Sequence, residues 1–189
     1  RQNQSDLETL RSYDRDSLSE EDKLHFDVMA FWLEKGFAAL PESMLLHPYN
    51  VEPLTGVHTS TPDFLIQDHR FDDAAYAGWY VDRVEKLDEV LDGTLLAFEA
   101  RVEKKMTPPR FILDKVVKDT RGFIEKPAES NPLVTNFDEK AKDASPELRA
   151  RLVAAVKSQV YPAWTRFADR VEAVAKDTSD DAGVWRLPD

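Results

Sequence analysis

The chain has 189 residues, 42% hydrophobic and 32% charged, with six glycines, eleven prolines and no cysteine. Lacking cysteine, it has no disulfide, no thiolate metal site and no cysteine nucleophile; with 25 Lys and Arg against 36 Asp and Glu, its net charge of -11 repels a nucleic-acid backbone, and no basic patch offsets it. No apolar run approaches the ~18 residues of a spanning helix and no N-terminal segment reads as a signal peptide, yet a chain this long can bury a core unaided.

The pattern is helical with proline-rich interruptions. Ser5 followed by Glu8 predicts a capping box that opens a short helix with Leu7 and Leu10 inward. Ser19, before Glu20, Glu21 and Asp22, caps a second helix whose Leu24, Val28, Phe31 and Trp32 keep a 3.6 period until Pro41. From Pro41 to about Arg70 the chain carries Pro41, Pro48, Pro53, Pro62, Asn50 and Gly56 and no sustained period. This stretch is too apolar for a solvated linker (Met44, Leu45, Leu46, Tyr49, Val51, Leu54, Val57, Phe64, Leu65, Ile66), which predicts a long ordered, packed loop.

After Asp72 and Asp73, the residues Tyr80, Val84, Leu87, Leu91, Leu95, Phe98 and Val102 form one stripe of a helix of about 30 residues, roughly 45 Å long, with Gly93 as an expected bend. Thr107, Pro108 and Pro109 read as an N-cap with first-turn prolines, opening a helix through Phe111, Leu113, Val116, Val117 and Ile124 that Pro127 ends. A polar stretch with Pro132 follows. Ser145 and Pro146 open a last long helix through Leu148, Leu152, Val156, Val160, Trp164, Phe167, Val171 and Val174, which Pro162 should kink. Beyond the acidic turn of Asp177 to Asp181, Val184, Trp185 and Leu187 are apolar again and need a surface to pack on. No repeat aligns the helices. The expected fold is all-α, an irregular bundle of about five to six helices, two of them long, in a single domain over 1–189.

Catalytic motifs are missing. The histidines, His25, His47, His58 and His69, contain no His-Glu-x-x-His pair that would turn two imidazoles toward one zinc. Asp22 and His25 stand at i, i+3 as half of a dinuclear metal site, or more simply as a capping acid and a surface histidine. Glu85 and Glu89, with Asp82 and Asp92, read as a face laced by ion pairs to the interleaved Arg83 and Lys86 rather than as paired acid and base. There is no Gly-x-Ser-x-Gly elbow, dinucleotide fingerprint or phosphate loop. No residue is therefore assigned as catalytic, metal-binding or cofactor-binding. Asn50, Thr55, Gly56 and His58, with Tyr49, Thr59, Ser60 and Thr61, put hydrogen-bonding groups among apolar anchors, either to bind a ligand or to satisfy the loop's own backbone. Arg110 is open between an ion pair and an anion contact. Trp32, Trp79, Trp164 and Tyr161 fall near helical stripes and are expected in the core.

Several segments in order resemble one bacterial family, catalogued as domain of unknown function 885. They are Leu18-Ser19-Glu20-Glu21-Asp22-Lys23-Leu24 with Phe26-Asp27-Val28; Asn50 to Thr59 containing Leu54-Thr55-Gly56-Val57-His58-Thr59, then Pro62, Phe64 and Leu65; Thr107-Pro108-Pro109-Arg110; Pro132-Leu133; Val160-Tyr161-Pro162-Ala163; and Gly183-Val184-Trp185-Arg186-Leu187-Pro188-Asp189. Together they span essentially the whole chain. Lys105 and Met106 depart from the glycine-containing lead-in typical before Pro-Pro-Arg.

The resemblance implies a helical protein similar to zinc metallopeptidases of the carboxypeptidase Taq type, with a His-Glu metal helix in a C-terminal half that this sequence does not contain. On that reading the chain is the N-terminal, cleft-forming domain of a zinc-dependent hydrolase. It is silent alone, with zinc, the general base and peptide turnover belonging to the longer protein. Asn50 to Thr61 and Arg110 are then expected to face the substrate. Relatives are often exported, periplasmic or lipid-anchored, and a start at Arg1 fits a removed signal or an excerpt; a cytoplasmic site stays open. The other reading is a self-contained acidic helical module that binds a protein partner through the apolar loop and C-terminal end. A metal enzyme built on Asp22 and His25 is a third, and predicts that His25→Ala abolishes metal binding.

Overall fold

A computed structural model describes residues 2–35, 49–183, 185 and 187. Readings that fall on 36–48, the end of the second helix at Pro41, the loop's Met44, Leu45, Leu46 and His47, and the packing of Val184 lie outside the described residues. All described regular structure is helical, in two compact units, Arg1–His47 and Pro48–Asp189.

The first unit holds α1 (Gln2–Arg11) and α2 (Glu20–Lys35), joined through a 3-10 turn at Arg15–Ser17. Ser5 lies inside α1, its carbonyl accepting from the Thr9 hydroxyl at 2.9 Å, so the capping box expected there is not formed. The cap at Ser19 is formed: its hydroxyl accepts from the Asp22 amide at 3.1 Å and donates to the Asp22 carboxylate at 2.7 Å. Two cross-links tie the pair, Arg11 to Glu34 at 2.6 Å and Arg15 to both carboxylate oxygens of Asp27 at 2.7 Å. The predicted inward stripe of α2 is a correction, because Leu24, Val28, Phe31 and Trp32 are exposed, Trp32 at 70%.

The second unit contains the core. It begins with α3 (Val57–Gln67), and this corrects the loop reading for those residues. The inward positions of α3 are His58, Pro62 and Leu65, a helical stripe in which only one member is conventionally apolar, and this hid its period. Next come α4 (Ala74–Val84) and α5 (Leu87–Glu103), with Asp73 capping α4 through the Ala75 amide at 2.7 Å. The expected stripe is inward, with Tyr80, Val84, Leu87, Leu91 and Phe98 all buried. The interruption falls at Glu85–Lys86 rather than at Gly93, which α5 runs through. There the Lys86 amide tightens onto the Arg83 carbonyl at 3.1 Å.

Helix α6 (Arg110–Ile124) begins later than Thr107 and has Pro109 at its cap, without a side-chain cap; Thr107, Pro108 and Pro109 are buried ahead of it. The polar stretch at Pro132 is itself a helix, α7 (Pro132–Lys140), capped by Asn131 and burying Leu133, Val134, Asn136 and Phe137. Ser145 and Pro146 open α8 (Pro146–Ala155) as expected, the Ser145 hydroxyl accepting from Leu148 at 3.3 Å. The rod continues through a π segment at Val156–Val160 into α9 (Tyr161–Lys176). Pro162 is accommodated by that widened turn, since it has no N–H to offer the preceding carbonyls.

Helices α6 and α9 lie side by side, with Phe123 and Trp164 rings 5.5 Å apart and Arg121 bonded to Asp169 and Glu172 at 2.9 and 2.6 Å. Of Asp82, Glu85, Glu89 and Asp92, three pair with arginines of the last rod: Asp82 of α4 and Glu85 just beyond it bind Arg151, and Asp92 of α5 binds Arg166 at 2.8 Å. Trp164 is in the core as expected, whereas Trp79 is exposed and Tyr161 half-buried.

Candidate functional site

The segment entering α3 builds the most distinctive environment among the described residues. Glu52 closes its turn, its carboxylate accepting from the Leu54 amide at 2.7 Å, from the Thr55 hydroxyl at 2.6 Å and from the Thr55 amide. Burial pushes its pKa up, but the Thr55 hydroxyl, the two amides and His58 outweigh that and hold it below the usual range. Gly56 follows, its carbonyl accepting from Thr59 and Ser60 at 2.9 Å to start the helix. A Cβ here would stand 2.3 Å from the Glu52 carbonyl oxygen and 2.8 Å from His58 Cε1, so the glycine is required by close approach.

His58 is only 4% exposed and stacks on Phe167 of α9 with centroids 5.4 Å apart. Both ring nitrogens are enclosed and have no hydrogen-bond partner. Burial pushes its pKa down, against the Asp119 and Glu52 carboxylates that push it up, so the imidazole is neutral. A neutral ring leaves one N–H and one lone pair unanswered, which costs about 1–3 kcal/mol for each buried group. The side chain lines a cleft of about 230 Å³ formed by Thr59, Pro62, Asp63 and Ile66 of α3, Asp119 and Phe123 of α6, and Pro132 of α7. Its lining mixes apolar side chains with Thr59 and the carboxylates of Asp63 and Asp119, of which Asp119 holds the Lys115 ammonium at 3.0 Å.

The other candidates lie elsewhere. Asn50 donates to the Thr94 carbonyl of α5 at 2.8 Å and leaves its own Oδ1 enclosed without a partner. Thr55 is taken up by Glu52, a local satisfaction of the backbone. Arg110 forms an ion pair with Asp180, and its amide donates to Ser179 at 2.9 Å; it does not line the His58 cleft. Asp63, Asp119 and Phe123 are additions to the sequence reading, and Asp119 carries no signal beyond a Lys-x-x-x-Asp spacing on the polar face of α6. A wider depression beside Val102, Lys105 and Arg170 holds groups already engaged, Arg170 with Glu99 at 2.5 Å and Thr178 with the Val174 carbonyl at 2.8 Å.

Among the described residues no group of three or more His, Asp and Glu gathers to hold a metal ion. Asp22 is engaged by Ser19 and His25 is exposed on α2, so the half-site at i, i+3 gains no further ligand there. Among the described residues no helix is long and apolar enough to cross a membrane.

Residues 1–189 match the family described as bacterial protein of unknown function, DUF885. No curated protein matches the chain. Among solved structures it is similar to the putative lipoprotein from Colwellia psychrerythraea, with a TM-score of 0.84 and 23% identity over 99% of this chain and 34% of that one. The likeness is one of fold, and the chain spans about a third of that protein's length.

Proposed function

Because the chain belongs to the bacterial DUF885 family, we propose that it is the N-terminal helical domain of a longer, zinc-dependent, metallopeptidase-like hydrolase and forms one wall of its substrate cleft. The observation that carries this reading is the enclosed, unpartnered His58 lining a cleft in a fold that spans 34% of a longer relative. Metal ligands and general base come from outside this chain, whose residues hold the substrate and transfer no proton. Gly56 admits the His58 ring, α3 and α6 set the cleft's width, and Asn50 fixes the entering segment to α5. The likeness to a putative lipoprotein supports an exported or lipid-anchored protein.

The test is zinc content and peptide hydrolysis by the longest natural reading frame that contains these residues. Stoichiometric zinc and hydrolysis that falls with His58→Ala support the reading; a zinc-free, inactive product of that frame overturns it.

Exposure of Leu24, Val28, Met29, Phe31 and Trp32 on α2 favours a second reading, a module that docks a protein partner without catalysis. A self-associated chain that loses its partner copy on Trp32→Ser, in a protein without zinc, is its signature.

A further inference from the structure

We infer that His69 is a proton-operated latch: its neutral ring fastens the connection between α3 and α4, residues 68–73, and a proton at Nδ1 releases that connection while the rest of the bundle stays folded. The bonds at the ring fix its working state. An arginine keeps its protons, so Arg83 Nη1 can only donate across the 2.6 Å to Nδ1, which must therefore offer a lone pair. The ring proton then sits on Nε2 and is donated to the Tyr76 carbonyl at 2.9 Å. The ring is 4% exposed and meets Phe71 and Tyr80 edge-on, with centroids 5.0 and 5.1 Å apart. Phe71 in turn lies against Tyr80 and Phe137 at 5.1 and 6.1 Å, so His69 and Phe71 together dock the connection onto α4 and α7. The Arg83 guanidinium also stands over the Phe64 ring, 5.9 Å from its centroid, and so joins α3, the connection and α4.

A proton at Nδ1 removes the acceptor and turns two cations face to face. Arg83 is exposed and swings into water, whereas the buried ring reaches water only if its backbone moves with it. Lys140 of α7, tethered to the Ile66 carbonyl at 2.6 Å, opposes the added charge as well, and the Tyr76 carbonyl is the one group that favours it. The acids of the connection do not bond the ring: Asp68 is exposed, Asp72 pairs with Arg70 at 2.5 Å, and Asp73 caps α4 through the Ala75 amide. An imidazolium enclosed among aromatic rings without a carboxylate is costly. The charged ring is therefore stable once the connection has carried it into water, and Phe71 leaves Tyr80 and Phe137 with it.

The test is amide hydrogen exchange in the 189-residue chain between about pH 7 and 5.5, read by NMR as protection factors. The Asp68 and His69 amides donate to the Phe64 carbonyl at 2.9 and 3.1 Å and report on the connection, while the amides of the fully buried Val116 and Val171 report on the bundle. A released imidazole takes its proton near pH 6.5, above the enclosed ring, so the closed form loses ground as the pH falls below that value. Protection at Asp68 and His69 should drop about tenfold over the range, with the His69 ring resonances titrating in step, and protection at Val116 and Val171 should change less than about twofold. His69→Gln keeps an acceptor for Arg83 and a donor for the Tyr76 carbonyl but takes no proton, and its connection should stay protected to within about twofold. Constant protection at Asp68 and His69 in the unmodified chain, an equal loss at all four amides, or the same acid response in His69→Gln overturns the inference.

Discussion

Helices α2 and α3 are opposites in what they show and what they bury. In α2, Leu24, Val28 and Phe31 recur at fours and threes, yet no residue of the helix is buried. In α3 the same positions of the repeat are His58, Pro62 and Leu65, and all three are buried. Period alone reports that a helix has two unlike faces. What covers a face depends on partners elsewhere in the chain, and a histidine or proline serves as an inward residue once neighbours remove water from it.

The strongest way to break this contrast is truncation of one leucine of the apolar-period stripe in each helix. Leu65→Ala removes a side chain that is 1% exposed and should cost about 2–5 kcal/mol in urea unfolding. Leu24→Ala, at an exposed position, should stay within about 0.5 kcal/mol. Similar losses at the two sites would mean that α2 is covered after all.

Gly56 sharpens the same point from the backbone. A methyl group at this site meets the Glu52 carbonyl oxygen and the His58 ring together, and neither a carbonyl held in a turn nor a ring stacked on Phe167 can retreat freely. Gly56→Ala should destabilise by about 1–3 kcal/mol, read in urea, and should displace the His58 ring resonances. Unchanged stability with an unchanged histidine signal would show that the close approach does not exist in solution.

A smaller effect, shared between two places, is set by pH. Burial depresses the pKa of His58, and burial also depresses that of His69, which accepts from Arg83 at 2.6 Å through Nδ1 and meets the Tyr76 carbonyl at 2.9 Å through Nε2. Arg83 and Lys140 push His69 further down, with the Tyr76 carbonyl opposing. Both rings bind a proton more readily when unfolded, near pH 6.5, than when folded. Their contribution is therefore complete above about pH 6.5 and is lost as pH falls through the lower folded values. Urea midpoints should decline with acidification below that point, and His69→Gln should flatten the decline. A midpoint indifferent to pH from 7 to about 5 would contradict the buried neutral state of both rings.

Much of the fold was legible because its signals were local. Asp73, Ser145 with Pro146, and the stripes from Tyr80 to Phe98 and from Leu152 to Val174 state their helices within a few residues. Helix α7 escaped because its buried set includes Asn136, whose amide meets the Tyr80 hydroxyl at 3.5 Å, and its cap Asn131 reaches the Phe123 carbonyl at 2.9 Å. These bonds join α7 and its cap to other helices and make polar residues fit for the interior. The Tyr80 hydroxyl, pushed up to about 12 by burial, donates to the Leu133 carbonyl at 2.9 Å in the same cluster. The candidate site was half legible for a related reason. Gly56 and His58 stand out in a short segment, but Asp119 and Phe123 join them only through the packing of α3 on α6.

The smallest expected effect concerns a residue whose oddity the sequence did mark. Lys105, singled out in the sequence by the family resemblance, is the one non-glycine described with positive φ, at 57°. Its amide still donates to the Val102 carbonyl at 3.0 Å and Met106 reaches back to Arg101 at 2.8 Å, so α5 closes with a turn that needs the left-handed conformation whichever residue provides it. An L side chain there costs roughly 1–2 kcal/mol, whereas glycine loosens the unfolded chain by about 0.4–1 kcal/mol. The first term wins. Lys105→Gly should therefore stabilise by about 0.5–1 kcal/mol in urea, with circular dichroism unchanged. Destabilisation instead would mean that the lysine side chain holds something the helix end needs, and the turn would then be set by that contact rather than by the backbone.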